Sequence, residues 1–363
     1  MLGPAAVEAA AHLAASLQPP ASLRARDEVA RARAACDNPA LVAAFTNRVV
    51  STNGVRLAVR EEGSGPAVVL CHGFPELAYS WRHQVPVLVA DGFRVLAPDQ
   101  RGYGDSDRPG DVAAYDIHHL TGDLVGLLDA LGIERAVFVG HDWGGLVVWM
   151  MPLLHPARTA GVVGVNTPYF PRGPMPPIAL FRAALGENHY IVHFQQPGVA
   201  DAALARDVDR VFTKLMRRGV PLSEVEARLA ARGRMPNLVE LIEDPESLGE
   251  PLLSDEERKV YVDAFTRTGF TGGINWYRNM DRNWETTPQL DGARIAVPSL
   301  MVLAEWDAAL RPELASAMPS LVDDLEMVTI ARCGHWTQQE HPDQVNEIMV
   351  DWLKRRFINA PAR

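Results

Sequence analysis

Two short stretches hold the side chains best suited to do chemistry. Gly140-His141-Asp142-Trp143-Gly144-Gly145 follows one apolar run, AVFV, and precedes another, LVVWMM. This is the G-x-nucleophile-x-G spacing of a sharp strand-to-helix turn, with an aspartate at its centre. Small flanking residues let such a turn lift the central side chain above a sheet edge. The N–H groups that open the following helix favour an ionised carboxylate there. The second stretch, His72-Gly73-Phe74-Pro75, follows the apolar run AVVLC. A loop in that place can offer a backbone N–H, here that of Phe74, to an oxyanion. The residue after the nucleophile, here Trp143, offers a second. Either stretch alone is weak, because glycine-bracketed turns and His-Gly pairs are common in purely structural roles.

The order of two further residues strengthens the case. Asp307 closes the run PSLMVLAEWD, and His335 stands in Cys333-Gly334-His335-Trp336 after the run EMVTIA. Taken singly, Asp307 reads as a cap or turn residue and His335 as a satisfied histidine. Nucleophile, acid, then histidine, each closing a strand-like run, is the order of an α/β-hydrolase triad. The remaining histidines read as structural. His118-His119 opens a helix without metal-ligand spacing, and His72 suits a hydrogen-bonding place beneath the oxyanion loop. Arg101-Gly102-Tyr103-Gly104 lacks the third glycine and acidic partner of a dinucleotide fingerprint. No metal and no organic cofactor is expected.

The elements that must position these groups follow from hydrophobic texture. Apolar runs at 67–73, 93–99, 136–142 and 161–166 alternate with helical spacing, clearest over 118–132, which implies a parallel sheet covered on both faces. Asn53-Gly54 between Val49-Val50 and Val55–Val59 signals a hairpin. A Pro-rich stretch, TPYFPRGPMPP, then opens a largely helical region before strand texture returns at 297–307 and 326–335 and a helix closes the chain over 344–357. The expected architecture is a mostly parallel central sheet flanked by helices, with a helical lid inserted. Its core covers 47–166 and 290–363 and its lid 167–289. Residues 1–46 form a separate helical extension interrupted at Gln18-Pro19-Pro20.

Composition narrows the partners. The 363 residues are 47% hydrophobic and 22% charged, ordinary for a globular protein. A formal net charge of -10 opposes nucleic-acid binding and docking on an anionic membrane. No window reaches the ~18–20 apolar residues of a membrane span. The N-terminal stretch lacks a basic start and reads poorly as a signal peptide. Cys36, Cys71 and Cys333 form no CxxC pair and leave one thiol over, which suits a reducing cytoplasm. The sequence leaves a homodimer open.

With these motifs assembled, the sequence resembles the epoxide hydrolases of the α/β-hydrolase superfamily, especially the soluble epoxide hydrolase catalytic domain and its bacterial relatives. The resemblance runs from about Thr46 to Phe357. It is carried by HGFPELAYSWRHQ, PDQRGYGDS, GHDWGG, HFQQPGVAD, INWYRNM, LMVLAEWD and CGHWTQ. It implies that two lid tyrosines hold the epoxide oxygen: Tyr190, four residues before Phe194, and Tyr277 of the NWYRN motif. Spacing alone would not select these two from the chain's seven tyrosines. His193 departs from the aromatic residue expected before Phe194. The implied substrates are a small-molecule epoxide and water. Phe74, Trp143, Phe194 and Trp336 are the expected substrate-binding residues.

The chemistry fits these groups. A carboxylate such as Asp142 can attack an epoxide carbon without first losing a proton. The departing oxygen needs acidic donors, which phenols supply at neutral pH. The resulting ester needs a base, His335 oriented by Asp307, and an oxyanion hole, the N–H groups of Phe74 and Trp143. Haloalkane dehalogenases share the aspartate and the following Trp, but a halide-binding Asn often stands where Phe74 is. A non-catalytic ligand-binding relative is the alternative of a different class, and the full set of catalytic residue types weighs against it.

Overall fold

The computed structural model describes residues 47–359 apart from Met235. The expected helical extension over 1–46, with Cys36, lies outside the described residues. β1 (Asn47–Thr52) and β2 (Val55–Glu62) form the expected hairpin. Its turn residues Asn53 and Gly54 take φ of 44° and 79°, the left-handed backbone that an Asn-Gly pair adopts readily and that matches strand twist.

β3 (Ala67–Cys71), β4 (Arg94–Pro98), β5 (Ala136–His141), β6 (Thr159–Val165), β7 (Ser299–Ala304) and β8 (Leu325–Ile330) complete an eight-stranded sheet in the order β1-β2-β4-β3-β5-β6-β7-β8. The six strands from β3 to β8 run parallel to their neighbours, while β2 opposes β4. Every residue of β3, β5 and β7 is buried. In β3, Val69 and Cys71 join Phe138 and Val162 on one face, while Val68 and Leu70 join Val137 and Val163 on the other. Burial on both faces explains why these strands read as unbroken apolar runs.

Helices α1 (Val85–Ala90), α2 (Ile117–Ala130) and α3 (Trp143–Leu154) flank the sheet. Asp116 caps α2 by accepting the His119 N–H. Between β6 and β7 the chain forms the helical lid. It includes α4 (Pro177–Leu185), α5 (Tyr190–His193), α6 (Val208–Leu215), α7 (Asp255–Thr268) and α8 (Thr271–Arg278). After β8 comes one helical turn, Thr337–Glu340, then α9 (Pro342–Leu353).

Several boundaries differ from the sequence reading. β8 stops at Ile330, short of the run read to 335, so His335 lies in the loop beyond it. β7 stops at Ala304, so Asp307 lies in the loop beyond the strand rather than at its end. The closing helix widens into a π turn at Lys354–Ile358, where Arg355 and Arg356 meet Glu326 and Asp324 at the sheet edge. Among the described residues no helix is long and apolar enough to cross a membrane.

The strand order fixes where a site can form. From β3 the chain moves outward to β4, then returns to place β5 on the other side of β3. The loops leaving the carboxyl ends of β3 and β5 therefore diverge and leave a crevice, the usual binding place in an open parallel sheet.

Candidate active site

Asp142 stands at that crevice in a strained backbone conformation, φ 51° and ψ -121°, immediately before α3. The glycines permit this turn by close packing. A Cβ on Gly144 would lie 2.1 Å from the Cys71 carbonyl oxygen, and one on Gly73 would lie 2.4 Å from the Asp142 Cβ. Such approach lets the β3 loop donate the Phe74 N–H to Asp142 Oδ1 at 2.8 Å. The Trp143 N–H also bonds the carboxylate. Burial raises the Asp142 carboxyl above the usual carboxylate range, and the charges of His335 and His141 with these two N–H groups offset only part of that rise.

His335 faces the other oxygen. Its Nε2 lies 3.8 Å from Asp142 Oδ2, too far for a direct hydrogen bond, and its Nδ1 lies 2.9 Å from Asp307 Oδ2. Asp307 is fully buried and accepts the N–H groups of Ala309 and Leu310 (2.9 Å each) and the Asn166 amide (2.6 Å). Burial would raise its carboxyl, but the His335 charge and these donors outweigh burial and bring it to about 2. Burial likewise disfavours the His335 cation, but Asp307, then Asp142 and Glu76, outweigh it and raise the imidazole to about 9.

The aromatic residues named from the sequence divide between two places. Tyr277 packs edge-on against Trp143 (4.9 Å between ring centroids), Phe194 (5.0 Å), Phe74 (5.4 Å) and Tyr190 (5.8 Å). Tyr190 also meets Phe194 at 5.7 Å. Burial first, and the Asp142 charge second, push both phenols above the ordinary tyrosine range, so both remain protonated donors at neutral pH. Trp336 packs on His335 instead, at 4.8 Å, and its indole N–H donates to the Leu215 carbonyl of the lid at 2.7 Å.

Beneath these groups lies a pair that the sequence reading missed. Glu76 and His141 are fully buried, with Glu76 Oε2 2.7 Å from His141 Nδ1. Glu76 also accepts the Gly73 N–H (2.9 Å) and the side-chain amides of Gln338 (3.0 Å) and Gln339 (2.9 Å). Its carboxyl is held below the usual range: His141 and the Gly73 N–H more than offset burial. The other His141 nitrogen faces the carbonyl of His335 at 2.8 Å. Both ring nitrogens thus face acceptors, a pattern that an imidazolium satisfies fully. One carboxylate thereby ties together the loop after β3, the residue before Asp142 and the loop bearing His335. His72 contrasts with His141. Its Nε2 accepts the Gln100 N–H at 3.0 Å and its Nδ1 bonds the Gly73 carbonyl at 2.9 Å, the structural place expected of it.

Glu76→Gln should therefore lower the unfolding free energy by about 3–5 kcal/mol, the usual cost of stranding one member of a buried ion pair. Urea denaturation measures this. A loss under about 1 kcal/mol would show that the pair is not held as ions.

Among the described residues, Cys333, Glu340 and His341 bring potential metal-ligand atoms within 4.8 Å of one another. Two of them already have partners: Glu340 takes the N–H groups of Gly219 and Gly334, and the Cys333 thiol, pushed up by burial to about 12, points to Thr337. This cluster joins the lid to the His335 loop rather than offering an open set of ligands.

Residues 66–342 match the family described as alpha/beta hydrolase fold. The chain is 49% identical over 316 residues to Epoxide hydrolase A of Mycobacterium tuberculosis, covering 85% of this chain and 97% of that one. This chain belongs to the epoxide hydrolase family. It is also 43% identical to Bifunctional epoxide hydrolase 2 of Rattus norvegicus over 84% of its own length, and spans 55% of that longer protein. Among solved structures, Epoxide Hydrolase A from Mycobacterium thermoresistibile is similar at a TM-score of 0.77 and 47% identity, covering 85% of this chain and 97% of that one. An epoxide hydrolase from an endophytic Streptomyces is similar at a TM-score of 0.79 and 37% identity, covering 85% and 95%.

Membership of this family agrees with the resemblance drawn from the motifs. No periodicity would have pointed to Glu76, His141 or Asn166. The only available signal was their adjacency to motif residues: Glu76 closes HGFPE, His141 precedes Asp142, and Asn166 ends the run that leads into the lid.

Proposed function

We propose that this family member opens epoxides to vicinal diols in two covalent steps, with Asp142 as nucleophile and His335, oriented by Asp307, as base. The observation that carries this reading is the unequal setting of the two Asp142 oxygens. Oδ1 is held by the Phe74 N–H at 2.8 Å, while Oδ2 faces His335 Nε2 at 3.8 Å. In the first step Oδ2 bonds to a ring carbon and the ring C–O bond breaks toward oxygen. Tyr190 and Tyr277 donate hydrogen bonds to that oxygen, and one of them supplies its proton. Donors fixed where charge appears act mainly on the transition state.

In the second step His335 takes a proton from water, and the water oxygen bonds to the ester carbon. Negative charge develops on Oδ1 between the N–H groups of Phe74 and Trp143. Collapse breaks the bond from that carbon to Oδ2, the diol leaves with the proton from His335, and the second water proton, left on the Asp142 carboxyl, returns to the tyrosinate formed in the first step. All five proposed catalytic side chains come from one chain, so the reaction does not require a second copy. Free, buried thiols at Cys71 and Cys333 support a reducing, cytoplasmic setting.

Single turnover with enzyme in excess, in water enriched in heavy oxygen, tests the covalent route. Label in Asp142 with an unlabelled diol supports it, whereas label mainly in the diol points to direct attack by water. An untouched epoxide together with halide release from a haloalkane would instead favour displacement of halide.

Charge on Asp142 makes a pH prediction. Before reaction, Asp142 and Asp307 hold His335 protonated, with a pKa of about 9. Esterification neutralises Asp142 and removes one charge that favours the cation, so the imidazole becomes a better base when a base is needed. Ester decay should rise with pH and level off above an apparent pKa lower than about 9. Rapid-quench measurement of the alkyl-enzyme from pH ~6 to ~10 checks this, and a pH-independent decay would contradict the role of His335.

The ring cluster of Phe74, Trp143 and Phe194 around the two tyrosines supports apolar aryl or fatty epoxides as substrates, with Trp336 lining the His335 side. Styrene-type epoxides should show higher kcat/KM than small polar epoxides. The reverse ranking would sink this assignment while leaving the covalent route intact.

A further inference from the structure

Two phenols can serve one departing oxygen only if their spacing is fixed. Tyr190 and Tyr277 sit on separate lid helices, and α5 is a single turn of four residues. A helix that short gains little stability from its own hydrogen bonds, so tertiary contacts must hold it in place.

The contacts found there are reciprocal. The side-chain amide of Gln195 donates both to the carbonyl of Ile191 in α5 (2.9 Å) and to the carbonyl of Tyr277 in α8 (3.1 Å). In the opposite direction Arg278, the residue after Tyr277, donates from Nε to the Phe194 carbonyl (3.0 Å) and from Nη2 to the Gln196 carbonyl (3.2 Å). Arg278 is itself fixed by the Asn275 side chain (2.9 Å) and by Asp201 (2.6 Å), a pair whose side chains are only 7% and 11% exposed. The segment bearing each tyrosine therefore grips the backbone of the other. Between them the rings meet at 5.8 Å and 77°, with Phe194 edge-on to both.

We infer that Gln195 and Arg278 are positioning residues for ring opening: a two-way brace that sets the spacing of the phenols and hence the rate of alkylation, with no part in ester hydrolysis. The inference rests on reading Tyr190 and Tyr277 as the donors to the epoxide oxygen. A shift of about 1 Å in a group that must meet a transition state can cost about 100-fold in rate. The triad and oxyanion donors lie on the sheet loops, outside this brace.

Rapid-quench single turnover followed by intact mass separates formation of the alkyl-enzyme from its decay. Gln195→Glu keeps the size but removes the donors. Arg278→Lys keeps a charge opposite Asp201 but loses the planar fork. Each should lower the maximal alkylation rate about 10- to 100-fold, leave the substrate concentration at half-saturation within about threefold, and leave ester decay at the native rate. In a Tyr190→Phe/Tyr277→Phe background neither should cost anything further, because the brace acts through those hydroxyls.

Tyr277→Phe, measured alongside, separates the brace from the reading beneath it. Native-rate alkylation in Tyr277→Phe would overturn the role of the tyrosine and the brace with it. Slow alkylation in Tyr277→Phe beside native rates in both brace variants would overturn the brace alone. If alkylation and ester decay fell together, Gln195 and Arg278 would be supporting the fold at large, which also overturns the proposal.

Discussion

His335→Ala protein is expected to take up one epoxide per active site and stop. Asp142 still stands on its elbow with Oδ1 held by Phe74, and the lid phenols are untouched, so ring opening proceeds. The ester then lacks the base proposed to activate water, and its decay should slow about 100- to 10,000-fold. Intact mass should rise by the full mass of the epoxide, because opening a ring expels no fragment. A displaced halide would leave a smaller increment. One precaution follows from the electrostatics. The His335 charge is the largest influence offsetting the burial that raises Asp142, so without it the carboxyl rises further. Trapping should therefore be run at mildly alkaline pH. Unmodified protein with substrate bound would contradict the division of labour between lid and core.

Removing the phenols should produce the opposite defect. Tyr277→Phe and Tyr190→Phe keep the ring packing around Trp143 and Phe194 but withdraw the proposed donors to the departing oxygen. Loss of one preorganised donor in a site closed to water typically costs about 100- to 1,000-fold. Alkylation should slow by about that factor in each variant, and by more in the double variant. Ester decay, which the proposed mechanism gives to His335 and Asp307, should keep its native rate. Burial holds both phenols above the ordinary range, so the native alkylation rate should show no alkaline fall near pH ~10, where free tyrosine ionises. Stopped-flow tryptophan fluorescence can follow both steps, since Trp143 adjoins the reacting carboxylate. A phenylalanine variant that alkylates at the native rate would remove that tyrosine from the mechanism.

Much of the frame was legible because burial on both faces leaves unbroken apolar runs, and β3, β5 and β7 are buried throughout. Asp142 directly follows such a run, whereas His335 lies in the loop beyond β8, whose residues are mostly half-buried or exposed, so its place was read from motif order and not from burial. Asp307 shows the limit of that signal: the run is apolar through Ala304, but the acid sits farther out, where the loop can supply the Ala309 and Leu310 N–H groups. Tyr190 and Tyr277 could be named only by resemblance. Their helices carry no period that distinguishes a ring facing the site from one facing the lid's own interior. Glu76 and His141 left no periodic pattern, only adjacency to motif residues, because their buried contact is formed by tertiary approach of a loop and a strand end that are distant in the chain.

The grip on Oδ1 also sets the fate of individual atoms. To exchange its two oxygens, the Asp142 carboxylate would have to turn about its Cβ–Cγ bond and give up the Phe74 N–H. Held as it is, it presents only Oδ2 to substrate. In the proposed cycle the diol carries that atom away, and the oxygen of the hydrolysing water takes its place. Each product therefore receives the water oxygen of the preceding cycle rather than its own. The enzyme retains a memory one turnover long, written in the isotope at a single position of one side chain.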